Sequence, residues 1–127
     1  MTKWVKTVFL SLSFLISSAH ANQAYDCQKA PLLLKKTVTV CGQLAEIVPQ
    51  PQLERIMLNL EKPYPQEAMA FEIPKAHQDD FQKRYPDLRS LIGKRICAHG
   101  RVMEKHGHLR MQISELVSFA QPVKTLP

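Results

Sequence analysis

The sequence predicts a small all-β domain, a five-stranded Greek-key barrel with one helix between its third and fourth strands. Three observations carry this expectation. Five stretches between Thr37 and Val117 alternate apolar and polar residues with the period of two that a half-buried strand requires. Between the third and fourth stretches the apolar spacing lengthens to three or four residues, the period of a helix. Proline and glycine fall mainly at the junctions, as turn chemistry demands. A chain of 127 residues, 45% hydrophobic and 22% charged, has enough apolar material for one globular core and too much to remain disordered.

Residues 1–21 stand apart from that domain. Lys3 and Lys6 precede the apolar run Thr7 to Ile16, and Ser18-Ala19-His20-Ala21 ends in an A-x-A pattern. This is the layout of a secretory signal peptide cleaved after Ala21. The competing reading is an uncleaved anchor, but the run is short against the ~20 apolar residues of a membrane span. The expected product is periplasmic or secreted, with no integral membrane segment. Loss of Lys3 and Lys6 lowers the formal charge by two from the +6 of the whole chain. The remaining charges are interspersed, a balance that permits polyanion binding without demanding it.

The elements follow in order. Residues 22–36 form an N-terminal lead-in, with a short helical turn after Pro31. The barrel domain is expected over 37–118. Its first strand, Thr37 to Ile47, turns Val38, Val40, Gly42 and Leu44 inward, and the mid-strand Gly42 predicts a bend or bulge. Pro49-Gln50-Pro51 ends it as a loop. Leu53 to Lys62 turns Ile56, Leu58 and Leu60 inward and Arg55, Met57, Asn59 and Glu61 outward. A proline-rich loop over 62–67 leads to Ala68–Pro74, with Met69, Phe71 and Ile73 inward.

Phe81, Tyr85, Leu88 and Leu91 or Ile92 then recur at helical spacing over 76–92, with a break near Tyr85 because Pro86 follows. Gly93 suits the position after a helix end. Lys94 to Glu104 is the fourth strand, with Ile96, Ala98, Gly100 and Val102 inward. Lys105-His106-Gly107-His108 is a hairpin turn. Leu109 to Val117 is the fifth strand, and 119–127 is a tail.

Three strands, a helix and a two-stranded hairpin is the succession of an OB-fold, a five-stranded Greek-key barrel. The rival architecture is another small open sheet covered by one helix. The sequence also resembles a family of small exported bacterial OB-fold proteins. The matching residues are Thr39-Val40-Cys41-Gly42, Met57-Leu58-Asn59-Leu60 with Tyr64-Pro65, Phe71-Glu72-Ile73, Phe81, Gly93 through Val102, and Gly107. They cover 37–117 and are mostly turn glycines and core positions. The resemblance implies a nucleic-acid-binding type of domain, although fold by itself does not give function.

Several residues are candidates for chemistry. Cys41 and Cys97 have outward parity on the first and fourth strands, which are neighbours in an OB-fold, so a disulfide between them is expected. Cys27 is then spare, either a free surface thiol or an intermolecular partner. Cys97, His99, His106 and His108 share one hairpin, but no strong metal spacing is present and a disulfide would remove Cys97, so no metal or cofactor is expected.

Arg95, Arg101 and Arg110 form a basic strip on the fourth and fifth strands, with Arg55 on the second; their bland role is solvation of an outer face. OB-folds bind ligands over strands two and three and the adjoining loops. There the outward positions hold no aromatic and include Glu61 and Glu72, so only Tyr64 can stack a base. Asp79-Asp80 is expected at a helix start, where negative charge is favourable. No nucleophile or acid–base motif is recognisable. The sequence therefore points to an exported non-enzymatic binding module for oligonucleotide, as single-stranded nucleic acid, or another polyanion. The alternative is a periplasmic accessory domain that binds an envelope protein and no nucleic acid.

Overall fold

The computed structural model describes residues 23–118. The proposed signal peptide and the 119–127 tail lie outside the described residues. The strands are β1 (Ala24–Asp26), β2 (Thr37–Gln50), β3 (Arg55–Leu60), β4 (Met69–Pro74), β5 (Arg95–Arg101), β6 (Met103–Lys105) and β7 (His108–Gln112). One α-helix, α1 (Lys75–Arg84), lies between β4 and β5. The five predicted strands are β2, β3, β4, the β5–β6 run and β7. The count rises to seven because the fourth strand breaks at Val102 and because the lead-in segment supplies β1.

β2 is the strand on which the sheet turns. It pairs antiparallel with β5 from Thr37–Arg101 to Gln43–Arg95, then antiparallel with β3 from Leu44–Leu60 to Gln50–Arg55. A register shift between Leu44 and Glu46 accompanies the change of partner. β3 pairs with β4 antiparallel, β4 with β7 parallel, and β6 with β7 antiparallel. The hydrogen-bonded path is thus open, running from β1 through β2, β3, β4 and β7 to β6. The chain itself completes the circuit at Val102, where β5 leaves β2 and β6 joins β7. Val102 N donates to Lys36 O at 3.0 Å, and Lys35 N donates to Val102 O at 2.7 Å.

β3 is two residues shorter at each end than expected, and two other strand ends differ by more. β2 continues through Pro49, which pairs with Ile56. Pairing of β2 with β5 stops at Gln43, so Pro49 lies beyond it, where a missing N–H is tolerated. β7 stops at Gln112 rather than Val117. Ser114 and Glu115 turn the chain, and Val117 N donates to Cys97 O at 2.8 Å on the free side of β5.

The core is the inward face of these strands. Leu44, Leu58, Leu60, Met69, Phe71, Ile73, Phe81 and Met111 are fully buried, each contributing about 1.5–3 kcal/mol of transfer free energy. The lead-in segment adds Cys27, Ala30 and Leu33 from a 3-10 helix, Cys27–Leu33, capped by the Asp26 carboxylate accepting from Gln28 N. α1 ends at Arg84, and Tyr85 leaves the helical region, at φ −125° and ψ 69°, before Pro86. Asp79 and Asp80 fall beyond the first turn of α1, which holds no acidic residue, so they do not serve its N-terminus.

Two glycines, Gly42 buried and Gly100 half-buried, mark close approaches. A Cβ on Gly42 would stand 2.5 Å from Cys27 Sγ. A Cβ on Gly100 would stand 2.6 Å from Met111 Cγ and 2.7 Å from Gln112 O, where β5 passes β7.

Candidate anion-binding cleft

The pairing register lays out the outer face of β3, β4, β7 and β6 in rows. Asn59, Ala70, Arg110 and Met103 form one row; Met57, Glu72 and Gln112 form the next. Their neighbours in sequence, Leu58, Phe71 and Met111, point into the core. Alternation of parity along each strand therefore gathers these polar side chains on one surface.

That surface holds an open cleft of about 640 Å³. Arg55, Arg101, Lys105 and Arg110 line it together with Glu72 and Glu104, and Met103 and Gln112 complete it. Four cations against two carboxylates leave the lining formally positive. Arg55 is already engaged: Nε donates to Gln50 Oε1 at 2.6 Å and Nη1 donates to Glu72 Oε1 at 3.2 Å. Both side chains of that ion pair are largely buried, so the pair is a fixed part of the cleft floor. Arg101, Lys105 and Arg110 form no ion pair among the described residues. Arg110 Nε is buried without a hydrogen-bond partner.

An aromatic pair adjoins the hairpin that carries Lys105. Tyr64 is 63% exposed, and its ring stacks on His108 with centroids 5.0 Å apart and planes at 28°. His108 has the same parity on β7 as Arg110 and lies opposite Lys105 of β6. His108 Nδ1 donates to Glu67 Oε1 at 2.5 Å, and Glu67 is itself only 3% exposed in its side chain. Glu46 fixes the loop by accepting from Tyr64 N at 2.9 Å and from Asn59 Nδ2 at 3.3 Å.

Of the five residues singled out from the sequence, Arg55, Arg101 and Arg110 come together in the cleft, and Tyr64 stands by its hairpin side. Arg95 lies elsewhere, in a groove with Tyr85, Leu91, Cys97, Leu116 and Val117. Lys105, Glu67 and His108 are additions. Parity could have placed His108 beside Arg110. The meeting of Tyr64 and Glu67 with His108 has no local signal, because it joins the loop 61–68 to the start of β7, far away in sequence.

The other candidates have structural surroundings. Cys41 and Cys97 form a disulfide between directly opposed positions of β2 and β5, with Cα atoms 4.0 Å apart. Ala24 and Val117 cover it. His99 Nδ1 lies 3.0 Å from Thr39 Oγ1, and His106 sits at positive φ in the hairpin turn. Cys27 is a free thiol but is fully buried, not on the surface as expected. Its Sγ donates to Glu61 Oε1 at 3.3 Å, the same oxygen that accepts from Gln43 N at 3.0 Å. Asp26, Cys27 and Glu61 bring their ligand atoms within 4.8 Å of one another. Burial first, then Glu61 and Asp26, push the thiol well above its ordinary pKa, so it is held as a neutral S–H.

The sequence matches no protein-family profile and no curated protein. Among solved structures the chain is similar to asparaginyl-tRNA synthetase from Pyrococcus horikoshii complexed with asparaginyl-adenylate (TM-score 0.53, 16% identity), over 81% of this chain and 23% of that one. It is similar to a chain of the S. pombe Stn1–Ten1 complex (TM-score 0.50, 12% identity), over 68% of this chain and 60% of that one. It is also similar to the OBody AM3L15 bound to hen egg-white lysozyme (TM-score 0.50, 11% identity), over 74% and 91%. The likeness is one of fold, and the fold is the OB-fold.

Proposed function

We propose that this OB-fold chain is an exported, non-enzymatic binding module whose cleft takes single-stranded nucleic acid or another anionic polymer. One observation carries the reading: Arg101, Lys105 and Arg110, unpaired among the described residues, share a cleft, and the exposed ring of Tyr64 stacks on His108, the residue paired with Lys105 of that cleft. Unpaired cations supply phosphate contacts, and a solvent-facing aromatic supplies a platform on which any base can stack. The Arg55–Glu72 pair contributes a rigid floor rather than a free charge. Export accords with the disulfide, a bond that persists in oxidising compartments. Among the described residues no helix is long and apolar enough to cross a membrane.

Fluorescence anisotropy of a labelled oligothymidylate, titrated with the protein at several salt concentrations, tests this. Three phosphate contacts on a single strand give a slope of log K against log salt of about −2. Arg110→Ala should flatten that slope by about 0.7, one contact's share. Tyr64→Ala should weaken oligothymidylate but leave heparin binding unchanged, which separates base stacking from charge alone. No binding of either polymer at low salt refutes the reading.

A second reading is a module that binds an envelope protein. It is favoured by the groove beside β5, where Leu91, Leu116 and Val117 flank Arg95, and by the OBody neighbour, which is bound to a protein. Failure of both polymers in the titration would leave this reading in place.

A further inference from the structure

We infer that the site for single-stranded nucleic acid continues beyond the cleft, from Arg101 along the outer face of β5 to Arg95, and that the groove beside β5 holds the far end of the strand. The track rests on the polyanion reading of the cleft and adds to it a second subsite and a path.

The register of β5 lays out the path. Arg95, Cys97, His99 and Arg101 share its outward parity. At about 3.3 Å per residue, the run from Arg95 to Arg101 extends about 20 Å. Arg101 lines the cleft at one end, Arg95 lines the groove at the other, and His99 is exposed between them. Both arginines are exposed, and neither forms an ion pair among the described residues.

Their partners across β2 are uncharged. Thr37 opposes Arg101, Thr39 opposes His99 and Gln43 opposes Arg95. The carboxylates of the surrounding elements are held by other groups of the protein. Asp26 of β1, opposite Cys41, accepts from Gln28 N at 2.9 Å. Glu61 accepts from Gln43 N at 3.0 Å and from Cys27 Sγ at 3.3 Å, and Glu115 pairs with Arg84. Where the path enters the cleft, Lys35 and Lys36 add charge; both are exposed, and their backbones bond to Val102. The crossing at Cys97 is apolar, because Ala24 and Val117 cover the disulfide. Sugar and base can lie there without desolvating a charge.

The shape of the path selects the polymer. It changes sheet at Val102, where the chain leaves β2 and joins β7. A duplex is stiff over this distance, whereas a single strand can follow the change. The exposed ring of Tyr64, stacked on His108 opposite Lys105, favours a polymer that carries bases.

Anisotropy of labelled oligothymidylates of about 4 and about 12 nucleotides, within the span of OB-fold sites, tests the track at several salt concentrations. Affinity alone rises with length, because a longer strand offers more registers, but the salt slope does not. The slope for the longer strand should be steeper by about 0.7 or more, the share of the Arg95 contact. Arg95→Ala should weaken the longer strand on the order of threefold to fivefold, the scale of one exposed charge pair. It should also remove about 0.7 of that slope and leave the shorter strand unchanged. Arg95→Lys keeps the charge and should keep the slope. Arg95 is exposed, so neither substitution disturbs the core. Equal slopes for the two lengths overturn the track and leave the cleft standing. So does an Arg95→Ala protein that changes both lengths alike, or neither. No binding of either length by the unaltered protein at low salt overturns the polyanion reading, and the track with it.

Discussion

Gly42→Ala isolates one contact of the core and can be worked through in advance. A methyl group on Gly42 would lie 2.5 Å from Cys27 Sγ, 3.1 Å from Leu60 Cδ1 and 3.2 Å from Cys27 Cβ. The first distance is impossible without movement, and Cys27 is fully buried on a 3-10 helix that is part of the core. Overpacking of this kind costs about 1–3 kcal/mol, while alanine in a strand regains about 0.5–1 kcal/mol of the entropy glycine loses. The net expectation is destabilisation of about 1–2 kcal/mol. In a Cys27→Ala background the sulfur is gone and the remaining contacts need only a few tenths of an ångström. There Gly42→Ala should be neutral or stabilising by up to about 0.5 kcal/mol. The two substitutions are therefore coupled by about 1.5–2 kcal/mol. Urea denaturation of the four proteins reads this as a shift of about 1 M in midpoint, given m-values of about 1–2 kcal/mol/M. Equal costs of Gly42→Ala in both backgrounds would refute the packing of Cys27 over Gly42.

The same thiol gives a pH dependence. Its pKa is raised in the folded protein, so the unfolded chain loses that proton first. Stability should be unaffected below about pH 8.5, the ordinary thiol value, and should fall as pH rises above it, a fall absent in Cys27→Ala. Removing the disulfide with Cys41→Ala and Cys97→Ala should cost about 4 kcal/mol by loop closure, for a bridge across 56 positions, read by the same denaturation. Gly100→Ala should be harsher than Gly42→Ala, at about 3 kcal/mol or more, because one atom in the way is the backbone Gln112 O. Tyr85→Phe removes a hydroxyl that accepts from Leu116 N and donates to Leu116 O, both at 3.0 Å. It should cost about 1–2 kcal/mol and speed hydrogen exchange at Val117.

Period-two alternation made the barrel legible. Met69, Phe71 and Ile73, or Ile96, Ala98 and Val102, could only face one core. Parity likewise placed Cys41 opposite Cys97 once β2 and β5 were neighbours, and it put Arg55 and Arg110 on outer faces. Alternation says nothing of where a strand stops when the pattern continues by chance. Leu109, Met111 and Ile113 are followed by Ser114 and Glu115, which turn the chain although Leu116 and Val117 look like more of the same strand. Nor could it see what covers an outer face. Cys41 has outward parity yet is fully buried, because β1 and Val117 close over it. The gathering of Arg101, Lys105 and Arg110 depends on the break at Val102, and that of Tyr64, Glu67 and His108 on the parallel pairing that sets the loop before β4 beside the start of β7.

The exchange of partners at Val102 bears on how the chain finds its fold. Lys35 and Lys36 precede β2, the first of the five barrel strands, and they meet Val102 only after most of the described chain has been made. No hairpin can close the barrel by itself: β2–β3, β3–β4 and β6–β7 are local pairings, but β5 needs a strand that was synthesised long before it. Non-local pairing of this kind is slow to form, since the entropy of closing the intervening chain is lost before any contact rewards it. The cleft spans that junction, with Arg101 on one side and Met103 on the other. A half-folded chain with all three local hairpins in place would therefore still have no binding site, and ligand affinity should be acquired last, together with the final closing step.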